Sequence, residues 1–72
     1  MSERELAVYK FIISHIQEYG YAPTVREIAS AMSISLSTAL YCLSDLENDG
    51  WIKVKPATTR AIKVMGYKFV KE

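Results

Sequence analysis

Side chains capable of covalent chemistry are few in this sequence of 72 residues. It contains one histidine (His15), one cysteine (Cys42) and seven serines, but none has the spacing of a nucleophile and its base. It also has no glycine-rich phosphate loop and no cluster of metal ligands. We therefore expect no catalytic residue, metal, cofactor or small-molecule substrate. We expect His15 to be a solvated helix residue and Cys42 a buried hydrophobic one.

Hydroxyl and aromatic side chains suited to recognition lie close together at Ser35, Ser37, Thr38 and Tyr41. Hydroxyls can donate to phosphate or accept from bases, and small residues allow a helix to lie deep in a groove. We predict that these four residues contact DNA at the start of a helix. The alternative is that the hydroxyls only cap the first turn and Tyr41 shields the helix.

Further predicted DNA contacts come from the polar and basic residues Thr24, Arg26, Lys53, Lys55, Thr59 and Arg60. Thr24 begins a helix, whose N-terminal N–H groups attract phosphate, and Arg26 is close by. Arg60 follows a turn and could lie along the backbone or enter a narrow minor groove. Alternatively, Arg26 pairs with a helix acid, and Lys53 and Lys55 are ordinary solvated strand residues.

The charge distribution is asymmetric although the net charge is only +1. Residues 1–50 carry three Lys/Arg against seven acids, and residues 51–72 carry six against one, so their net charges are −4 and +5. This favours phosphate binding by the C-terminal third. One observation opposes DNA binding: no Lys or Arg lies between Arg26 and Lys53, so the proposed helix lacks a bidentate guanine reader.

Capping signals and apolar periodicity predict three helices that carry most of these residues. Ser2 and Thr24 each precede a glutamate by three residues, the spacing of a capping box, and Gly20 is suited to end a helix. Helices are expected at about 3–19, 25–32 and 36–48. The apolar stripe of the first, expected to be buried, comprises Leu6, Val8, Tyr9, Ile12, Ile13, Ile16 and Tyr19.

Two alternating runs, Trp51–Lys55 and Ala61–Val64, predict an antiparallel hairpin within a wing at about 51–65. The expected fold class is α+β: one winged helix-turn-helix domain, residues 1–72, with a three-helix core and a two-stranded antiparallel β wing. Helix, turn, helix and wing in this order typically place one helix in the major groove of duplex DNA. Because no apolar run reaches the roughly 20 residues that span a bilayer, we expect a cytoplasmic protein without a membrane partner.

The chain resembles the N-terminal DNA-binding domain of LexA-type repressors, regulators of the bacterial DNA-damage response. The resemblance covers residues 5–64, and the runs that carry it are Gly20–Ala29, Leu43–Ile52 and Thr59–Ile62. It implies a winged helix-turn-helix, transcription regulation and recognition by Ser35, Ser37, Thr38 and Tyr41. Both a stand-alone bacterial or phage regulator and an excised N-terminal domain fit the sequence.

The chain departs from this family before the recognition helix. Around Ser33–Ser35 it is one residue shorter, and Leu36 and Leu40 replace the usual polar reading residues. The family's DNA site is therefore not carried over. The family's second domain, which dimerises and cleaves itself with a Ser–Lys pair, has no counterpart in these residues, so that activity is not expected.

A different class of function is also open. Leu36, Leu40 and Tyr41 on an uncharged helix would suit a homodimer or a partner protein as well as a DNA groove, because exposed apolar patches commonly mark interfaces. The alternative is therefore a winged-helix protein-interaction or dimerisation module that does not bind DNA.

Overall fold

A computed structural model describes residues 2–55 and 62–65 of the chain. Its elements are α1 (Glu3–Tyr19), α2 (Val25–Met32), α3 (Leu36–Asn48), β1 (Ile52–Val54) and β2 (Ile62–Val64). The expected fold class is confirmed: three helices are followed by a two-stranded antiparallel sheet, here called the wing. Residues 56–61 of the predicted wing, which include Thr59 and Arg60, and residues 66–72 lie outside the described residues.

Side-chain caps define where the helices begin. The Ser2 hydroxyl accepts a hydrogen bond from the Glu5 N–H at 3.2 Å. At α2 the capping box is complete: the Glu27 N–H donates to Thr24 Oγ1 at 3.1 Å, and the Thr24 N–H donates to Glu27 Oε1 at 2.8 Å. Gly20 ends α1 with φ 82°, a left-handed conformation that costs glycine little.

The turn from α2 to α3 sets the direction of the third helix. Ser33 has φ 56° and ψ 43°, and among the described residues it is the one non-glycine residue with positive φ. The next residue, Ile34, donates its N–H to the Ala29 carbonyl at 3.0 Å and packs its side chain against the core. Ser35 then caps α3. The left-handed Ser33 and the half-buried Ile34 together fix the start of α3 relative to α2.

The core draws its largest fully buried side chains from all three helices and β1: Val8, Ile12, Ile28, Leu46 and Ile52. Burial of each such side chain stabilises the fold by about 1.5–3 kcal/mol. Two positions predicted to be buried are not, since Leu6 is 40% exposed and Tyr19 is 53% exposed. The apolar periodicity of α1 marks a wider arc than the core covers, and Tyr19 packs on aromatic rings instead.

The expectation that His15 is solvated is wrong. His15 is 8% exposed, and its Nδ1 lies 3.0 Å from the Tyr21 carbonyl oxygen. The rings of Phe11, Tyr19 and Tyr21 surround it, with centroids 4.6–5.8 Å from its own. The chain reverses at Gly20 and returns Tyr21 over the histidine, which a helical wheel drawn for α1 alone cannot represent. His15 therefore helps to fasten the α1–α2 connection.

The wing pairs Ile52 with Val64, Lys53 with Lys63 and Val54 with Ile62. Ile52, Ile62 and Val64 face the core, while the two lysines are exposed. One backbone and one side-chain hydrogen bond hold β1 to the end of α3. The Trp51 N–H donates to the Leu46 carbonyl, and the Val54 N–H donates to the Glu47 carboxylate oxygen Oε2, both at 2.9 Å. The end of α3 and the wing are therefore held together.

Cys42 lies on the inner face of α3 and is 5% exposed, as its spacing predicts. Burial raises the pKa of its thiol above the ordinary value of 9.0, although Arg4 acts in the opposite direction. Because the pKa is raised in the folded state, the contribution of this group to stability is complete below pH 9.0. That contribution decreases as the pH rises above 9.0 towards the folded-state pKa.

We expect the buried thiol to alkylate slowly while the chain is folded. The thiolate is the reactive form, and both burial and the raised pKa suppress it. Iodoacetamide labelling at pH 8, followed by mass spectrometry, should be at least about tenfold slower in buffer than in denaturing urea. Equal rates in the two solutions would contradict the position assigned to Cys42.

Candidate nucleic-acid interface

The first two turns of α3 present an uncharged surface to solvent. The side chains there are Leu36 (45% exposed), Ser37, Leu40 (55% exposed) and Tyr41 (74% exposed), which together we call the outer face. The opposite side of α3 supplies the buried residues Ala39, Cys42, Leu43 and Leu46. Since the core holds the inner side, the outer face is accessible to another molecule along the first half of the helix.

The predicted site residues at the start of α3 divide into two pairs. The Ser35 hydroxyl accepts from the Thr38 N–H at 3.1 Å and donates to Thr38 Oγ1 at 2.9 Å, so these two side chains organise the first turn. Ser37 and Tyr41 are exposed on the outer face, and within the described part of the chain their hydroxyls form no hydrogen bond. Ser37 and Tyr41 are thus the better placed to contact a ligand.

Charge on α3 is confined to its C-terminal part. Its first turn has no acidic residue, and the helix sequence has no Lys or Arg. Asp45, Glu47 and Asp49 are exposed in its later turns and its C-cap. The N-terminal end also carries the positive end of the helix dipole. A polyanion is therefore tolerated at the start of α3 and repelled at its end.

Exposed lysines form a positive surface on the wing. Lys53 and Lys63 are directly opposite each other in the antiparallel register, and Lys55 follows β1. Like charges facing each other across a strand pair destabilise a sheet, and a bound anion would relieve that repulsion. Lys63 was not among the predicted DNA contacts, although its place in the alternating pattern of β2 directs it to solvent as Lys53 is directed in β1.

At the start of α2, Glu27 already bonds the groups of Thr24 that were predicted to contact phosphate. The Thr24 hydroxyl accepts a hydrogen bond from the Glu27 N–H, and the Thr24 N–H donates to the Glu27 carboxylate within the capping box. Arg26 is exposed on the same turn and extends a cation from it. The geometry therefore favours Arg26 over Thr24 as the phosphate ligand here. Thr59 and Arg60 lie outside the described residues.

The described ranges, 2–55 and 62–65, do not support a metal site or a membrane-spanning helix. They contain no group of three or more His, Cys, Asp or Glu side chains that could hold a metal ion. In the same ranges, no helix is both long and apolar enough to span a membrane. The outer face and the wing lysines are thus the features of these residues that best fit a ligand-binding role.

Comparison with known proteins points to one family. The family model described as the LexA DNA-binding domain matches residues 1–61. The chain is 40% identical over 63 residues to a LexA repressor of Ligilactobacillus salivarius, covering 86% of this chain and 31% of that protein. The corresponding values are 38% over 66 residues for Listeria welshimeri (90% and 32%) and 37% over 67 residues for Bacillus mycoides (92% and 33%). The chain spans about a third of the length of these relatives.

Proposed function

We propose that this chain, which belongs to the LexA DNA-binding domain family, binds duplex DNA sequence-specifically and regulates transcription. One observation carries the proposal. The second helix of the helix-turn-helix presents the outer face, which has exposed hydroxyls and apolar groups, no acidic residue in its first turn and a positive dipole end. Such a helix is suited to enter the major groove with its N-terminal turns.

In this mechanism α3 reads base edges while cations hold the phosphate backbone. Ser37 and Tyr41 contact bases or nearby phosphates, and Ser35 and Thr38 maintain the geometry of the first turn. Lys53, Lys55 and Lys63 of the wing and Arg26 of α2 contact phosphates. For Thr59 and Arg60 the same role rests on the sequence alone.

The family relatives also suggest how the chain acts as a whole. Those compared are named repressors, and we propose repression in the bacterial cytoplasm for this chain as well. Because α3 lacks a cationic base reader, a single chain should bind modestly. Tight binding would then require a homodimer or a partner protein that places two recognition helices on successive half-sites.

A selection from random duplex DNA tests the proposal. We expect the chain to enrich one sequence, and Tyr41→Ala to weaken binding to it by about 5- to 150-fold, the range for loss of a specific base contact. Fluorescence anisotropy with the enriched duplex measures the change. Lys10→Gln, which removes an exposed cation from α1, is the control and should bind like the original chain.

A second outcome of this experiment favours the alternative class of function. Leu36, Leu40 and Tyr41 are all at least 45% exposed and would also fit a protein surface. If no duplex is enriched at any salt concentration, DNA binding is contradicted and a protein-interaction module becomes the better explanation.

A further inference from the structure

Two exposed leucines form much of the outer face, and hydrogen bonding by its hydroxyl groups does not account for them. Leu36 is the first residue of α3, Leu40 is one turn later, and they are 45% and 55% exposed. Residues four apart lie on the same side of a helix. The pair therefore forms a continuous apolar strip beside Ser37 and Tyr41.

The chemistry of α3 restricts which bases it can recognise. Guanine is contacted mainly by Arg or Lys, and α3 contains neither. Adenine is contacted by Asn or Gln, and the one such residue of α3 is Asn48, in its last turn. Cytosine is read by carboxylates, and the first carboxylate of α3 is Asp45. The hydroxyls of the first two turns can bond several bases and do not select one, whereas the apolar side chains there match the C5-methyl group of thymine.

We propose that Leu36 and Leu40 recognise thymine methyl groups in the major groove, so that the preferred DNA carries thymine at two positions of each half-site. This inference rests on the proposed function. Four residues of helix advance about 6 Å, and base pairs are about 3.4 Å apart, so the two thymines should be about two base pairs apart. Ser37 and Tyr41 add hydroxyl contacts between and beside them.

Charge and position favour DNA over a protein as the occupant of this strip. The leucines are in the first two turns, where α3 has no acid and where its dipole is positive. The wing lysines add cations that an anionic ligand would neutralise, and the N–H groups of Trp51 and Val54 bond the wing to the end of the same helix. Glu3, Glu5 and Asp45, with Arg4, line a depression beside Tyr41, but Leu36 and Leu40 are not part of that lining. At the apolar strip itself, the helix dipole and the wing cations therefore favour an anionic occupant.

Replacement of thymine by deoxyuridine tests the inference directly, because it removes the C5-methyl and leaves the base pairing intact. The duplex enriched by selection is synthesised with one thymine replaced at a time, and affinity is measured by fluorescence anisotropy. We expect two positions in each half-site at which replacement weakens binding about fourfold, as for one buried methyl group, and about 15-fold when both positions of one half-site are replaced. Replacement elsewhere should have no effect.

Variants connect each methyl group to its leucine. Leu40→Ala should bind the thymine and deoxyuridine duplexes equally at one of the two positions, and Leu36→Ala should do so at the other. Leu6→Ala, which shortens a 40% exposed leucine on α1, is the matched control and should retain both effects. The fluorescence of Trp51 reports whether each variant is folded.

The outcomes separate this inference from the function on which it depends. Enrichment of one duplex that tolerates deoxyuridine at every position would overturn the thymine proposal and leave DNA binding intact. Failure to enrich any duplex would overturn both. Sedimentation as a dimer that Leu40→Ala converts to a monomer would assign the leucines to a protein interface and overturn the thymine proposal.

Discussion

Replacing Leu46 with alanine should destabilise the chain by about 2–5 kcal/mol, the usual cost of emptying a fully buried leucine site. Leu46 has no exposed surface and lies between the helices and the wing. A domain of 72 residues has a free energy of unfolding of about 4–10 kcal/mol, so this loss is a large fraction of the total. Urea denaturation followed by the fluorescence of Trp51, the single tryptophan, measures it.

The same substitution on the opposite side of α3 provides the control. Leu40 is 55% exposed, so Leu40→Ala should change the free energy of unfolding by no more than about 0.5 kcal/mol. We expect it instead to weaken DNA binding. If Leu40→Ala unfolded the chain as readily as Leu46→Ala, the assignment of inner and outer sides of α3 would be wrong.

DNA binding should be strongly dependent on salt, and Lys53 and Lys63 of the wing should together account for about half of that dependence. With phosphate contacts from Arg26, Lys53, Lys55 and Lys63, the slope of log affinity against log salt is about −3.6. Between 50 and 200 mM salt this corresponds to about a 150-fold loss of affinity. Lys53→Gln combined with Lys63→Gln should change the slope to about −1.8 and the loss to about 12-fold.

The double variant should also keep its fold, since both lysines are exposed and directly face each other. Anisotropy titrations at four or more salt concentrations give the slopes, with Lys10→Gln, which removes another exposed lysine, as the control on α1. An unchanged slope in the double variant would show that the wing lysines do not contact phosphate.

Local rules predicted the architecture well because each element carries its own signal. Thr24 and Glu27 form the capping box that their spacing indicates, and Gly20 adopts the left-handed conformation expected after α1. The alternation at Ile52–Val54 and Ile62–Val64 likewise matches the observed pairing. These features depend on neighbours a few residues apart, so the sequence contains the necessary information.

The predictions of burial were wrong where segments that are distant in sequence pack together. His15 is buried because Tyr21 folds back over it, and no periodicity within α1 indicates that contact. Leu6 and Tyr19 satisfy the helical spacing of core residues but extend beyond the arc that the core covers. Burial at the margin of a helix face depends on the packing partner, which sequence spacing alone does not define.

For the candidate site, the sequence identified the helix but not which of its hydroxyl residues cap the first turn and which face solvent. Ser35, Ser37 and Thr38 look equivalent as hydroxyl residues, yet Ser35 and Thr38 bond to each other and Ser37 does not join them. The pairing of Lys53 with Lys63 likewise required the strand register. Which side chain contacts DNA remains a prediction for all of them.

On the proposed mechanism, the uncharged start of α3 and the basic wing bind duplex DNA together. Backbone amide chemical shifts, recorded while the enriched duplex is titrated into the isotope-labelled chain, test this joint binding. We predict the largest shifts at Leu36, Ser37, Leu40 and Tyr41, smaller ones at Lys53 and Lys63, and little change around His15. A saturating titration that left the outer face and the wing unshifted would contradict the account.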